Sequence, residues 1–304
     1  MKRADVVDLA LLGALWGASF LFMRIAVPQF GPVPLMAVRC AVGAAVLLPL
    51  LLWRREAGWL RRRPLAFAVV GVLNSALPFV LFGYATLWLT AGFAALLNAT
   101  VPLWAAGVAY LWLREVPSQR QLVGLAVGFA GVTLLVSGRG AILPQGDLLP
   151  VLAALAATLS YGIAANYARR HMSGTPSIAL AAGSQVGAAA ALVLPAALSW
   201  PAEPPDAGAW AAALALGAAC TGLAYLLYFR LLNRSGAATA TSVTFLVPAF
   251  AVVWGGLFLG ERPTATMLAG GAVILLGTAL ATTTAQAARR SARAISCRSC
   301  AAGR

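Results

Sequence analysis

The chain has 304 residues, of which 61% are hydrophobic and only 10% are charged. Soluble domains are nearer half apolar and a quarter charged, so this composition excludes an ordinary soluble protein. The formal net charge of +14 would suit a nucleic-acid partner. No basic patch with interleaved aromatic residues accompanies that charge, and we therefore expect no nucleic-acid binding.

Ten apolar runs follow one another along the chain, separated by short stretches of Pro, Gly and charged residues. A helix needs about 20 mostly apolar residues to cross a bilayer, and such punctuation marks the connections. The faintest break, at Leu89 and Thr90, is required because residues 65–113 are too long for one helix. Continuous rather than alternating apolar character excludes an outer-membrane barrel. The sequence thus predicts an all-α integral membrane protein with ten spans at 6–27, 33–53, 65–86, 91–113, 119–137, 148–168, 177–199, 209–231, 236–259 and 264–284.

The basic residues are distributed unevenly between the two sides. With ten spans both termini share one side, and that side carries 17 of the 22 Lys and Arg residues. Cytoplasmic loops are the basic ones, so both termini are predicted to be cytoplasmic. Residues 285–304 form a basic tail that we expect to be disordered. Its Cys297 and Cys300 lack the further ligands of a zinc site, and no metal or cofactor is predicted.

A repeated pattern divides the chain in two. Comparison of residues 102–136 with 248–282 gives twelve identities in 35 positions, including Pro-x12-Glu-x-Pro-x6-Gly-x6-Gly. A weaker match at a shift of 145 places Arg24 opposite Arg169. Because each unit, 6–137 or 148–284, holds five spans, the second unit must lie upside down relative to the first. Inverted repeats build secondary transporters with a substrate site near the midplane, which predicts alternating access.

The segments that end the two units are "LNATVPLWAAGVAYLWLREVPSQRQLVGLAVGFAGVTLL" and "TSVTFLVPAFAVVWGGLFLGERPTATMLAGGAVILLGTAL". Together with "LLGALWGASFLFMRIA" in the first span, they resemble the EamA family of the drug/metabolite transporter superfamily, over about residues 6–284. The resemblance implies a carrier of the bacterial inner membrane, often an exporter of amino acids or related metabolites, without an ATPase part. The chain accordingly contains no phosphate-binding G-x-x-x-x-G-K-[ST] loop.

Polar side chains inside the spans are the default candidates for a transport site, because a polar group in hydrocarbon is costly unless it is paired or hydrated. For Trp16, Asn98 and Tyr228, packing, back-bonding or interfacial roles remain equally open. Arg24, near a helix end, is expected to extend to the outer surface. The candidates for substrate binding are Trp16, Ser19, Arg39, Asn74, Tyr84, Asn98, Tyr161, Asn166, Gln185, Tyr225 and Thr244.

Arg39 has two interpretations. It could supply a counter-charge to an anionic group of the cargo, or it could be a structural or surface-reaching cation, which its place near a helix end favours. No carboxylate lies deep in a span, and the single histidine, His171, is predicted in a loop. Proton relays usually use buried Asp, Glu or His, so facilitated diffusion, coupling through the glutamate loops and proton antiport all remain open.

The two equivalent corners are predicted to act as hinges. Proline in the fourth span releases the carbonyl of Asn98, which would kink the helix there, and Thr244 is its counterpart in the ninth. A carboxylate is unfavourable at a helix C-terminus, so each corner glutamate is expected to cap the following helix, whose first turn is expected to hold Pro117 or Pro263. The hinge and cap residues are Pro102, Pro248, Glu115, Glu261, Pro117 and Pro263.

The combined prediction is an exporter of small metabolites, amino acids or related compounds, that works without ATP. An uptake permease and a multidrug exporter are the alternatives, although a cation exporter would need a buried carboxylate. An intramembrane enzyme is disfavoured because the spans offer no acid or histidine at depth. The expected partners are a small-molecule substrate and the lipid bilayer; the oligomeric state stays open, and a monomer is compatible.

Overall fold

A computed structural model describes residues 3–138 and 147–282, apart from the side chains of residues 237 and 238. Within these ranges the chain forms helices and no strand. Ten of the helices are long and apolar enough to span a membrane, which confirms the predicted class. They are α1 (Arg3–Phe30), α2 (Pro32–Trp53), α3 (Pro64–Ala85), α4 (Ala91–Leu113), α5 (Gln119–Ser137), α6 (Leu149–His171), α7 (Ser177–Leu198), α8 (Ala207–Gly236), α9 (Thr239–Leu259) and α10 (Ala265–Thr282).

The boundaries follow the predicted ones closely. The faint break before α4 is real, since Thr90 caps that helix by accepting a hydrogen bond from the Phe93 amide at 3.3 Å. The largest difference is at the end of α8, which continues past the predicted residue 231 to Gly236. The predictions for residues 285–304, including Cys297 and Cys300, lie outside the described residues.

Backbone irregularities occur at equivalent places in the two halves. A π-helical turn lies in α3 at Val72–Ala76 and another in α8 at Ala218–Leu223, and their first residues are 146 positions apart. The helices α4 and α9 both end on a left-handed residue, Arg114 with φ 57° and Gly260 with φ 65°. These two positions are again 146 apart, so the two corners share one backbone conformation.

The left-handed conformation at Arg114 gives a prediction about stability. An L residue with a side chain is disfavoured there, whereas glycine, which Gly260 supplies at the equivalent corner, is not. We expect Arg114→Gly to raise the free energy of unfolding by about 0.5–1 kcal/mol, because the native strain exceeds the added flexibility of the unfolded chain. Thermal unfolding in detergent measures this change in stability. Gly260→Ala should act in the opposite direction, and stabilisation by that control would contradict the account.

Small residues bring the two halves into direct backbone contact. A Cβ added at Gly124 of α5 would lie 2.5 Å from the amide nitrogen of Ala281 of α10. A Cβ at Gly17 of α1 would lie 2.9 Å from the amide nitrogen of Ala251 in α9. Glycine allows such close approach where no hydrophobic force drives helices together in lipid. Glycine therefore allows the close packing of α5 on α10.

The corners themselves differ from the prediction. The cap of α5 is Ser118, whose hydroxyl accepts from the Gln121 amide at 3.3 Å, while Gln121 accepts from the Ser118 amide at 2.9 Å. In α10 the hydroxyl of Thr264 accepts from the Met267 amide at 3.1 Å. Hydroxyl residues placed directly before these helices satisfy the first amides. The corner glutamates therefore do not cap the following helices.

The two prolines that follow the corner glutamates also lie outside those helices. Pro117 and Pro263 each precede the capping residue, rather than occupying the first turn as predicted.

Candidate functional site

A cavity of about 430 Å³ lies between the helices of the two halves. Its wall is formed by α1–α4 from the first half and α6–α9 from the second, while no residue of α5 or α10 lines it. Of the candidate residues, eight line this cavity. They are Trp16, Ser19, Arg39, Asn74, Asn98, Tyr161, Tyr225 and Thr244.

The bundle has two ends, and contacts between helix termini show which residues lie at each end. At the amino-terminal end, where α1 begins, Asp8 pairs with Arg230 of α8. At the far end, the Gln29 side-chain amide donates to the Asp206 carboxylate at 2.8 Å. The position of each residue along its helix therefore gives its depth between the two ends.

The cavity is closed towards the far end and open towards the amino-terminal end. Its lining residues in the far half are almost inaccessible, as the exposures of Met23 (2%) and Phe82 (3%) illustrate. In the half nearer the amino terminus, Thr241 is exposed and Leu180 is half-buried. The lining residues with the greatest exposure therefore lie in the amino-terminal half.

Arg39 lies at the closed end and is only 6% exposed. Its Nε donates to the Thr221 hydroxyl at 3.0 Å, and its guanidinium carbon lies 3.6 Å from the centroid of the Phe79 ring. The residue is neither in an ion pair within the described ranges nor extended to the surface. Arg39 is therefore a cavity-lining cation held by Thr221 and Phe79, without the ion pair or the extension to the surface that the favoured interpretation described.

Aromatic rings form much of the remaining wall. The Trp16 ring lies 5.6 Å from that of Tyr228 and 6.5 Å from that of Tyr225, centroid to centroid. Tyr161 stacks on Phe82 at 6.4 Å. Such rings offer apolar faces to a cargo and can also receive a cation.

The fourth span is broken where the sequence predicted a kink. The first helical segment of α4 ends at Asn98 and the second begins at Val101, with Pro102 directly after. Asn98 and Pro102 both line the cavity. In α9 the break lies at Ser242, before Thr244 rather than at it, and Pro248 is inside a continuous segment.

Three candidates lie outside the cavity. Asn166 donates to the carbonyls of Ala105 and Gly162, both at 2.9 Å, and so joins α6 to α4. Gln185 is fully buried and donates to the Ser75 hydroxyl at 2.9 Å. Tyr84 is half-buried near the far end of α3. The side-chain NH2 groups of Asn166 and Gln185 are thus bonded to a neighbouring helix, while Oε1 of Gln185 is buried without a hydrogen-bond partner among the described residues.

An ion pair closes the far end. Arg24 Nε lies 3.2 Å from Glu261 Oε1, and Arg24 also donates to the Thr86 carbonyl at 2.8 Å. The other oxygen of Glu261 accepts from the Ala91 amide at 2.8 Å. Arg24 therefore does not extend freely to the surface, and Glu261 serves the first turn of α4 instead of that of α10. Together they join α1, α3, α4 and the corner after α9.

Burial governs the ionisation of this corner glutamate. Partial burial raises the pKa of the Glu261 carboxyl above its ordinary value of 4.5, and the Ala91 amide and Arg24 oppose that rise. Glu261 consequently takes up a proton at a higher pH than an exposed glutamate does.

The amino-terminal end has its own ion pairs. Glu115 pairs with Arg169, and both are largely exposed. Asp8, which is 4% exposed, pairs with Arg230, and Arg234 lies 3.6 Å from its second oxygen. Asp8 is a buried carboxylate in α1 that sequence reasoning overlooked. In the sequence, an Asp in the first turns of a span is expected to lie at the membrane surface. Its contact with the end of α8 exists only in the folded protein.

Several lining residues carried no signal in the sequence. Phe20, Met23, Phe79 and Phe82 are ordinary apolar residues of their spans, and only helix packing separates them from lipid-facing ones. Thr221 was missed as well, although a hydroxyl in the middle of an apolar run is a recognisable signal.

Comparison with known proteins agrees with this architecture. The profile of the EamA-like transporter family matches residues 7–137 and again residues 148–283. The uncharacterized transporter YvbV of Bacillus subtilis (strain 168) is 26% identical over 297 residues, covering 96% of this chain and 95% of the relative. A probable terminal-alkyne amino-acid exporter of Streptantibioticus cattleyicolor is 27% identical over 293 residues, covering 92% and 94%. A crystal structure at 21% identity shares the fold with a TM-score of 0.62, over 94% of this chain and 99% of the other.

Proposed function

The chain belongs to the EamA-like transporter family, and from that membership we propose that it is a secondary carrier that exports small organic metabolites without ATP. The observation that carries this proposal is the cavity of about 430 Å³, which is closed at one end and lies between the two halves of the chain. A cavity of this size accommodates a small metabolite.

Alternating access is the mechanism we propose for it. The two halves, 6–137 and 148–284, act as inverted repeats around the cavity, and rocking them would open the far end and close the other. Equivalent ion pairs support this. Arg24 with Glu261 and Arg169 with Glu115 each join one half to the other, at opposite ends of the bundle. In the sequence, Glu261 follows Glu115 by 146 positions and Arg169 follows Arg24 by 145.

The same equivalence relates helix contacts. Gly17 of α1 packs on Ala251 of α9, and Gly162 of α6 packs on Ala105 of α4, where an added Cβ would be 2.9 Å from the Ala105 amide nitrogen. Ala105 and Ala251 are again 146 positions apart. The contact of α1 with α9 thus has a counterpart in the contact of α6 with α4, which supports a two-fold relation between the halves.

We place the carrier in the bacterial inner membrane with both termini in the cytoplasm. The excess of Lys and Arg on the amino-terminal side supports this orientation. The open end of the cavity then faces the cytoplasm, the side from which an exporter loads its cargo. Amino acids or related compounds are the proposed cargo, as the name of the Streptantibioticus cattleyicolor relative suggests for that protein. One chain contains the whole cavity, which suits a monomer.

Transport assays test the proposal. Purified protein in liposomes should move a member of a metabolite panel down its gradient without ATP. We expect Trp16→Ala and Asn98→Ala each to lower the initial rate about fivefold or more, because each removes about 1 kcal/mol of contact with the cargo. Trp53→Ala and Asn233→Ala remove the same residue types at exposed helix ends and serve as matched controls. If overexpression leaves the distribution of amino acids, purines and sugars across the membrane unchanged, the export proposal fails.

A further inference from the structure

We infer that Arg39 is the anchor for a carboxylate of the cargo, and that the carrier selects compounds with one carboxylate and an apolar body. This inference rests on the proposed transport function and specifies its cargo. It starts from the charge balance of the cavity wall. Among the cavity-lining residues in the part of the chain that the structure describes, Arg39 is the one ionised side chain.

The Arg39 side chain ends in a guanidinium cation, which offers five N–H donors and no acceptor. A buried charge is costly unless an opposite charge or hydrogen bonds compensate it. Within the described ranges, Arg39 has no ion pair, and its one hydrogen bond uses Nε. The two terminal nitrogens, with four N–H groups, therefore remain for a partner that the chain itself does not supply.

The surroundings also fix how such a partner would approach. The Phe79 ring, 3.6 Å from the guanidinium carbon, covers one face of the group, and Thr221 occupies the edge at Nε. The remaining edge carries both terminal nitrogens, which is the geometry that binds the two oxygens of a carboxylate in parallel. A single cation matches the single charge of a carboxylate better than the double charge of a phosphate monoester.

The fold holds Arg39 in this position through local features of α2 and α8. A Cβ at Gly43 would lie 2.8 Å from the Thr221 methyl, and one at Gly217 would lie 3.0 Å from the Arg39 carbonyl oxygen. These glycines let α8 approach α2 closely. The π-helical turn Ala218–Leu223 then places the Thr221 hydroxyl so that it donates to the Leu216 carbonyl at 3.0 Å and accepts from Arg39.

The rest of the cavity is suited to an apolar body. Towards the open end the wall presents the rings of Trp16, Tyr225, Tyr228 and Phe229. No carboxylate is among the described residues that line the cavity, so none of them requires an amine on the cargo. Amino acids with apolar side chains and the corresponding deaminated acids both satisfy these conditions, whereas amides and amines do not.

Ligand binding to the purified full-length protein tests the inference. The probes are phenylalanine, phenylpropionate and phenylalaninamide, with the corresponding leucine set, and the readout is thermal stabilisation as a function of concentration. We expect both carboxylates to stabilise the wild type and the amide to need at least tenfold higher concentration. Equal stabilisation by amide and carboxylate, or no stabilisation by any carboxylate in the two sets, would overturn the inference. This arm uses wild-type protein and does not depend on a variant that folds.

Variants of Arg39 provide a second arm. Arg39→Gln should weaken carboxylate binding at least tenfold and remove the preference over the amide, while Arg39→Lys keeps the charge and part of the preference. Arg54→Gln, an exposed arginine at the end of the same helix, is the matched control and should behave as wild type. If folded Arg39→Gln retains the preference, Arg39 has only a structural role.

Liposome transport of these probes separates the two proposals. Transport without a carboxylate preference overturns the anchor alone. Carboxylate-selective binding without transport overturns the carrier function alone.

Discussion

Glu261→Gln should make the closed end of the cavity open about tenfold more often. The substitution keeps an oxygen for the Ala91 amide but removes the charge that faces Arg24 at 3.2 Å. An exposed ion pair contributes about 0–1 kcal/mol and a buried one more, so this pair, with Glu261 11% and Arg24 29% exposed, is expected to contribute about 1–2 kcal/mol. Each 1.4 kcal/mol corresponds to a factor of ten in the population of the open state.

Thiol labelling from the far side measures this opening. Met23→Cys places a reporter at the closed end of the cavity, in a background without the four native cysteines. A membrane-impermeant reagent is applied to vesicles from the side opposite the amino terminus. Arg24→Gln should give the same increase, and the double variant should add little, because both changes remove one interaction. Glu115→Gln breaks the equivalent pair at the other end and is the control. Unchanged labelling in Glu261→Gln would show that the pair does not hold this end closed.

The same pair should make the opening sensitive to pH. Because burial raises the pKa of Glu261, its carboxyl is protonated as the pH falls through a window that begins above the ordinary 4.5. Protonation removes the negative charge and so weakens the pair with Arg24, and labelling should rise on mild acidification. Arg24 is the charge in contact with the carboxyl. Glu261→Gln should have high labelling at every pH; a persistent pH dependence in that variant would assign the effect to another group.

Gly277→Val should prevent α5 and α10 from packing and abolish the folded protein. A Cβ at Gly277 would lie 2.3 Å from the Gly128 amide nitrogen and 2.5 Å from its Cα. Backbone atoms of a packed helix cannot give way as the end of a side chain can, so the helices must separate. Overpacking typically costs 1–3 kcal/mol, and a clash with backbone lies at or above about 3 kcal/mol. The yield of monodisperse protein in detergent and its apparent unfolding temperature report the effect.

Gly107→Ala is the matched control for that variant. Gly107 lies inside α4, and no atom is within 4 Å of a Cβ added there. Alanine is the better helix former, so this substitution should be neutral or stabilising by about 0.5–1 kcal/mol. Equal destabilisation by both substitutions would mean that helix glycines matter here for flexibility rather than for close packing.

The spans were predictable because their signal is local. A run of apolar residues long enough to cross a bilayer has few alternatives to a helix, and length alone required the faintest break, where the Thr90 hydroxyl caps α4. The break at Asn98 was predictable for the same reason, since proline acts on a carbonyl four residues away. Both corners were located correctly, but the role of Glu261 was not, because its amide partner, Ala91, is 170 positions away in the chain.

The amino-acid sequence by itself determined the class of the protein, the ten spans and the equivalence of the two corners, since hydrophobic length and the spacing of Pro, Gly and Glu are properties of the linear chain. Tertiary structure decided which polar groups face the cavity. Asn98 and Asn166 are alike in sequence, yet Asn166 is occupied by the Ala105 carbonyl of the neighbouring helix and Asn98 lines the cavity. Tertiary structure also decided that Arg39 faces the cavity and that Asp8 pairs with Arg230, which is 222 positions away in the chain. The role of a buried polar group depends on which groups pack against it, and in these cases the neighbouring groups come from a distant part of the chain.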